Sequence, residues 1–194
     1  MAGDVIQPTF HHVNLKTTRL QEMIDFYGVL VGAEVIHRDA AGAWLSNDRA
    51  NHRIALLAFP DLADDPAKET HAGLHHTAYE YASLAELNAT YLRLRDAGIE
   101  PAFCLDHGMT LSYYYADPDG NYVELQMDAF GDWAWSKAWM KNSSDFKADP
   151  IGQLVDPEAI AADHAAGVAF ETMHAKAMSG GYARQRPASV EGVA

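Results

Sequence analysis

FHHVNL (residues 10–15), GLHHTAYE (73–80) and DPDGNYVELQ (117–126) decide how this chain folds, because the first two are copies of one strand start and the third closes the second copy. His76 follows His12 by 64 positions and Gly98 follows Gly32 by 66, so that FHHVNL…FYGVLVGAEV overlays LHHTAYE…YLRLRDAGIEP. A period that long, carrying a strand, a helix and further strands in each copy, reads as duplicated modules sharing one site rather than as a solenoid. Outward from FHHVNL, residues 9–17 alternate like a strand. TTRLQEMIDFYGVLVG (17–32) then carries Leu20, Met23, Ile24, Tyr27 and Leu30 at helical spacing, with Thr17 or Thr18 as its cap and Gly32 as its stop. VIHRD (35–39), GAWLSN (42–47) and HRIALLAF (52–59) are short strand-like runs separated by turn formers. The second copy runs through LHHTAYEY, a helix from about Ser83 to Ala97 stopped by Gly98, then PAFCLD (101–106), TLSYYYAD (110–117) and YVELQM (122–127).

The expected architecture is α+β: two tandem βαβββ modules at 1–60 and 74–128, joined by an acidic linker at 61–73, forming one domain around a metal site. A C-terminal extension, helical or irregular, occupies 129–194 and contains no third copy. In it PEAIAADHAAGVAFETMHAKAM (157–178) is compatible with a helix despite Gly167, and the last dozen residues are expected to be loosely ordered. Trp133, Trp135 and Trp139 read as a packing patch against the sheet or a neighbouring subunit, from which a homo-oligomer is expected.

Two imidazoles and one carboxylate, His12, His76 and Glu124, are the ligand set of a facial triad on non-haem ferrous iron, which leaves neighbouring positions open for substrate and O₂. Alternation along each strand sends His11 and His75 to the opposite face, where a structural role or one that supports the ligands is expected. Asp117, Asp119, Gly120 and Asn121 are explained by turn chemistry, and one of Tyr113, Tyr114 and Tyr115 must face inward. His37, His71, His164 and His174 show no partner pattern.

With 48% hydrophobic residues among 194, the chain can bury a real core. Fourteen basic against 27 acidic residues, a net charge of −13, argue against a nucleic-acid partner. Cys104 is the single cysteine, so no intrachain disulfide is expected, and no run of about 18 apolar residues marks a membrane span. The start MAGDVIQPTFHHV lacks a basic stretch followed by an apolar one, and a soluble cytoplasmic protein is expected.

Paired βαβββ modules with HHV, HHTAYE and DPDGNYVEL resemble the vicinal oxygen chelate superfamily (the glyoxalase, bleomycin resistance and dioxygenase group), and within it the single-domain type I extradiol dioxygenases. The resemblance covers about residues 9–128, and DPIGQLVDPE (149–158) resembles the extension of single-domain members. It implies an oxidoreductase that opens a small aromatic diol, a catechol or 2,3-dihydroxybiphenyl, with both atoms of O₂ at Fe(II), Mn(II) being an alternative. It also assigns His12, His76 and Glu124 to the metal. His52 in SNDRANHRIAL is similar to the histidine that takes a catechol proton and later returns one, Tyr114 to a tyrosine that hydrogen-bonds the substrate oxygen, and His107 to a histidine beside the site.

Two alternatives share the fold. Glyoxalase-like and epimerase-like isomerases, lyases or thiol transferases generally bring a fourth ligand from the end of the first module, where Ile54 or Ala55 stands here and neither can bind a metal. A metal-free drug-sequestering protein would have no reason to retain both histidines and the glutamate.

Overall fold

The computed structural model describes residues 5–183. The chain divides into two compact units, Met1–Gly73 and Leu74–Ala194.

The first unit is built as β1 (Val13–Lys16), α1 (Leu20–Val31), β2 (Glu34–Arg38), β3 (Gly42–Ser46) and β4 (Ile54–Leu57). Its sheet runs in the order β1-β4-β3-β2, with β1 parallel to β4 and the remaining pairs antiparallel. Helix α1 buries the stripe Met23, Ile24, Tyr27 and Leu30, each side chain contributing roughly 1.5–3 kcal/mol of apolar burial. Gly32 ends the helix with φ 67°, and its N–H donates to the Tyr27 carbonyl. The start of α1 departs from expectation. Arg19 holds the cap position without a side-chain cap, because Thr17 spends its hydroxyl accepting the Arg19 N–H at 2.8 Å while the Thr18 hydroxyl donates to Asp64 at 2.6 Å. Strand β1 also begins later than residue 9: the His11 carbonyl accepts from the Arg53 guanidinium at 2.8 Å, so the chain joins the ladder only at Val13. His11 and His12 therefore lie on a lead-in where strand alternation does not apply.

The second unit repeats the plan with β5 (His76–Tyr81), α2 (Leu84–Asp96), β6 (Phe103–Asp106), β7 (Thr110–Ala116) and β8 (Tyr122–Asp128). Helix α2 opens with two side-chain contacts to backbone donors: Ser83 Oγ accepts the Glu86 N–H, and the Glu86 carboxylate reaches back to the Ala82 N–H at 2.9 Å. The β5 strand is parallel to β8, and the sheet order is β5-β8-β7-β6, extended by a two-residue strand, β9 (Gln153–Leu154), beside β6. Both units are thus α+β with the same strand order. Tyr113 and Tyr115 are fully buried, and the Tyr113 hydroxyl donates to Asn88 of α2.

The extension adds α3 (Trp133–Asn142) and α4 (Ser144–Ala148) before β9, then α5 (Pro157–Ala165) and α6 (Phe170–Met178) after it. The run 157–178 is two helices rather than one, because Gly167 takes φ 79° between them. Helix α5 is tied to α2 through Glu158, which accepts from the Tyr91 hydroxyl at 2.8 Å and the Arg95 guanidinium at 2.7 Å. Of the three tryptophans, Trp139 packs on Gly108, Phe130 and Phe146, whereas Trp133 and Trp135 stay 71% and 63% exposed. His174 of α6 bonds the buried Asp106 carboxylate, Nδ1 to Oδ2 2.8 Å, and His71 bonds Asp65 at 2.7 Å, partners that the sequence pattern does not reveal. From position 184 onward the closing residues fall outside the described ones. Among the described residues no helix is long and apolar enough to cross a membrane.

Two expected outcomes follow from this packing. Gly152 has φ +81°, and a Cβ there would overlap the Asp106 carbonyl oxygen and lie 2.8 Å from His107 Cα. Gly152→Ala should therefore lower stability by about 2 kcal/mol or more, read as a shift in the denaturant midpoint. At His174, burial alone would lower the pKa, but the hydrogen bond and charge of Asp106 outweigh it and the net shift is upward. A histidine whose folded pKa is raised adds stability below its unfolded value and loses it as pH climbs through the folded one. His174→Asn, which keeps a donor but no charge, should melt below the wild type at about pH 5.5 and converge on it by about pH 9, as thermal unfolding at both values will show.

Candidate metal centre

In the second unit four side chains meet on one face of the sheet. His76 opens β5, Glu124 sits on the neighbouring β8 with Ala78 as its register partner, and Tyr114 lies opposite Glu124 on β7. His107 occupies the turn between β6 and β7. His76 Nε2 is 3.2 Å from Glu124 Oε2, and the Tyr114 hydroxyl is 2.9 Å from Glu124 Oε1 and 2.8 Å from His107 Nε2. Phe103 stacks on the Tyr114 ring with centroids 4.5 Å apart, fixing its plane. Tyr114 is thus the one of the three that faces Glu124, while Tyr113 and Tyr115 are buried on the other side of the sheet.

Glu124 is only 5% exposed. Burial alone would raise its pKa, but hydrogen bonds from His76, Ser112 and Tyr114 prevail and the carboxyl is held below its ordinary value. Burial and the adjacent Glu124 charge push the Tyr114 hydroxyl well above the usual range. For His107, burial outweighs the pull of Glu124 and lowers the pKa of the imidazole.

In the first unit the loop before β4 returns His52 to the lead-in of β1. Ring centroids of His12 and His52 are 4.4 Å apart, and those of His11 and His52 5.3 Å. Each of the three offers a nitrogen, all within 4.8 Å of one another, a cluster that could itself hold a metal ion. Arg53 braces the loop by pairing with Asp48 at 2.8 Å. Desolvation first, then His12 and His11, lower the pKa of His52.

The expectation that His11 and His75 face away from the ligands is wrong. Both precede the regular strands, and each makes the same contact to its neighbour: Nδ1 to Nδ1, 2.9 Å for His11–His12 and 2.8 Å for His75–His76. That contact uses one ring nitrogen of His12 and His76 and leaves Nε2 for a ligand, the arrangement in which an outer partner orients a metal-binding imidazole. The doubled histidine in both copies was the available signal. Ser112 carried none.

The donor set fits a divalent ion. Two ligand atoms each about 2.1 Å from one ion at a right angle stand roughly 3 Å apart, which the His76–Glu124 separation of 3.2 Å matches. Register also settles the fourth position. Ala78 pairs with Glu124 two residues after His76, and Asn14 pairs with Ala55 two residues after His12, so Ala55 is the counterpart of Glu124.

Comparison with known proteins agrees with this architecture. The chain is 39% identical over 173 residues, 88% of its own length and 90% of the relative's, to biphenyl-2,3-diol 1,2-dioxygenase 2 of Rhodococcus globerulus. It is 38% identical to biphenyl-2,3-diol 1,2-dioxygenase 3 of the same organism over 84% of this chain and 85% of that one. Among solved structures, a glyoxalase/bleomycin resistance protein/dioxygenase from Nocardioides shares the fold with a TM-score of 0.51 at 24% identity, covering 64% of this chain and 86% of that one. The profile of one superfamily matches residues 9–125. With its duplicated βαβββ modules, this chain belongs to the Glyoxalase/Bleomycin resistance protein/Dioxygenase superfamily.

Proposed function

We propose that this chain is an extradiol ring-cleaving dioxygenase acting on small aromatic diols of the biphenyl-2,3-diol and catechol type. His12, His76 and Glu124 would hold Fe(II), or Mn(II) in its place, because two imidazoles and a carboxylate suit either ion. The observation that carries the reading is Ala55 at the counterpart of Glu124. Three protein ligands leave room for a bidentate catecholate and O₂, whereas a fourth would suit proton-transfer chemistry on a chelated substrate. The names of the two Rhodococcus relatives support the same class.

Bound there, the metal would supply adjacent open positions and a path for electrons between substrate and oxygen. The protein's side chains do the rest. His52, beside His12, takes a catechol proton and later returns one, a role that suits an imidazole, whose ring nitrogens can both accept and donate a proton. Tyr114, its ring plane set by Phe103, hydrogen-bonds the substrate oxygen, and His107 braces Tyr114 from behind. The exposure of Trp133 and Trp135 supports association into a homo-oligomer, and the cytoplasm is the compartment this reading expects.

Anaerobic loading with Fe(II), followed by addition of 2,3-dihydroxybiphenyl or catechol and measurement of oxygen uptake, tests the activity. One O₂ consumed per ring opened supports it, and no uptake with any diol refutes it. Purified protein should hold about one Fe(II) per chain, and Glu124→Ala should lose most of it, because the only anionic ligand is gone; unchanged metal content by elemental analysis would refute the ligand assignment. His52→Phe should keep its iron and bind catechol but turn over about 10²–10⁴ times more slowly, as expected for loss of a positioned acid–base group. Loss of iron in that variant would make His52 a ligand instead.

A further inference from the structure

We propose that His11, His12 and His52 form a second metal site, complete within the first unit, which takes a late divalent ion of right-angled preference, Cu(II) or Ni(II), through three neutral imidazoles. Filling it bars the triad from using His12. The site stands on the first unit alone, whereas its consequence for iron rests on the function proposed above.

Arg53 assembles the three rings. Its carbonyl accepts the Val13 N–H at 3.0 Å and its guanidinium donates to the His11 carbonyl at 2.8 Å, so one residue grips the chain on both sides of His12. Asp48 holds the same guanidinium at 3.0 and 2.8 Å, and the Arg53 N–H donates to the Leu45 carbonyl of β3 at 2.8 Å. His52, one position ahead, is thereby set beside the doublet, its ring centroid 4.4 Å from that of His12 and 5.3 Å from that of His11. Rings already gathered by these bonds lose less freedom on taking up an ion.

Nδ1 of His11 and Nδ1 of His12 face each other across 2.9 Å. Imidazole nitrogens bind divalent ions at about 2.0–2.1 Å, so two of them stand about 2.9 Å apart at a right angle and about 3.4 Å apart at the tetrahedral angle. The observed bite is the right-angled one. The three rings each bring a nitrogen into a group no more than 4.8 Å across. Two donors on opposite sides of one ion are about 4.1 Å apart, and a turn of the half-buried His52 ring closes that difference. His11 and His12 are exposed, so an ion reaches them from solvent.

The donors also select the ion. Among the described residues this is the one such group, and it contains no carboxylate. Square-planar or tetragonal nitrogen surroundings suit Cu(II) and Ni(II), while Mn(II) and Fe(II) stand at the weak end of the affinity order. His75 and His76 repeat the Nδ1 contact at 2.8 Å, but no third ligand joins them.

Proton accounting makes the two uses of His12 exclusive. A neutral imidazole has one N–H and one bare nitrogen, and in the Nδ1–Nδ1 contact one of the two rings carries its proton on Nδ1. When both Nδ1 atoms bind an ion, that ring moves its proton to Nε2 by exchange with water, and no proton is released. His12 then has a protonated Nε2, the nitrogen it would otherwise offer the triad.

Glu124→Ala, which disables the triad, isolates the new site in the full-length chain freed of metal with a chelator. Pulsed electron paramagnetic resonance counts the imidazoles on one added equivalent of Cu(II) through their remote nitrogens, and three are expected. Adding His11→Ala or His52→Phe should lower that count and weaken Cu(II) binding about 100-fold or more against a competing chelator, beyond the range of about 10–100-fold typical of losing an outer partner. A signal and affinity unchanged by either substitution would overturn the proposal. Should Glu124→Ala fail to fold, His76→Ala disables the triad at an exposed position and the same readouts decide. With two equivalents of Cu(II), the wild type should show no coupled pair of ions; a coupled pair, bridged by His12, would refute the exclusion. Failure of the wild type to bind iron would reject the triad alone, because the Glu124→Ala signal reports on the first unit.

Discussion

The parallel ladder between β5 and β8 is the constraint on which the second unit's chemistry depends. Two parallel strands cannot be joined by a tight turn, so α2, β6 and β7 must be completed before β8 returns beside β5. Only that return places Glu124 on the strand next to His76, with 3.2 Å between Oε2 and Nε2. Burying a carboxylate is expensive unless it is paired and hydrogen-bonded. Here His76, Ser112 and Tyr114 satisfy it, and the carboxyl stays below its ordinary pKa although almost no water reaches it. A charged, held carboxylate beside an imidazole nitrogen suits a cation better than it suits an empty interior.

The same ladder occurs in the first unit between β1 and β4, in the same register relative to the histidine pair. What differs is the residue it delivers: Ala55 where the second unit has Glu124. Fold and chemistry have thus separated within one duplication. Backbone pairing reproduces the position and the side chain decides what the position does. The first unit instead gathers three imidazoles, His11, His12 and His52, of which His52 comes from the loop just ahead of β4. In both units the first histidine of the doublet holds Nδ1 of the second, a shared device for presenting Nε2.

The extension is the part of the molecule that the duplication does not explain. Its strand β9 lengthens the second sheet, α5 is clasped by Tyr91 and Arg95 of α2, and α6 reaches Asp106. Strand β9, α6 and, through Trp139 on Gly108, α3 meet the turn between β6 and β7, which carries His107. A residue on a turn keeps one position only in a rigid surround, because turns are the mobile part of a sheet. The surround here is assembled from residues 32 or more positions downstream of the one it braces, Trp139 being the nearest (139 − 107).

Local patterning made most of the elements legible. Apolar residues at helical spacing mark α1 and α2, strand alternation and turn formers mark the sheet strands, and Gly32 and Gly98 end the helices because only glycine takes their positive φ without strain. The repeated HHV and HHT starts, with a glutamate closing the second copy, pointed to His12, His76 and Glu124, and the resemblance to the superfamily brought His52, Tyr114 and His107 into consideration. Other features had no local cause. Strand β1 begins at Val13 because Arg53, from another strand's lead-in, takes the His11 carbonyl, and His11 bonds His12 instead of facing away from it. The choice of Ala55 over Ile54 and of Tyr114 over its neighbours follows from register, which strand pairing sets and composition does not. His174 finds Asp106 across 68 positions, a separation that leaves no periodic trace. Sequence by itself determined the elements and the residue types available for chemistry, since propensity and periodicity act over one or two turns; which atoms face one another was decided only by tertiary structure, since hydrogen bonds and burial depend on distance in space.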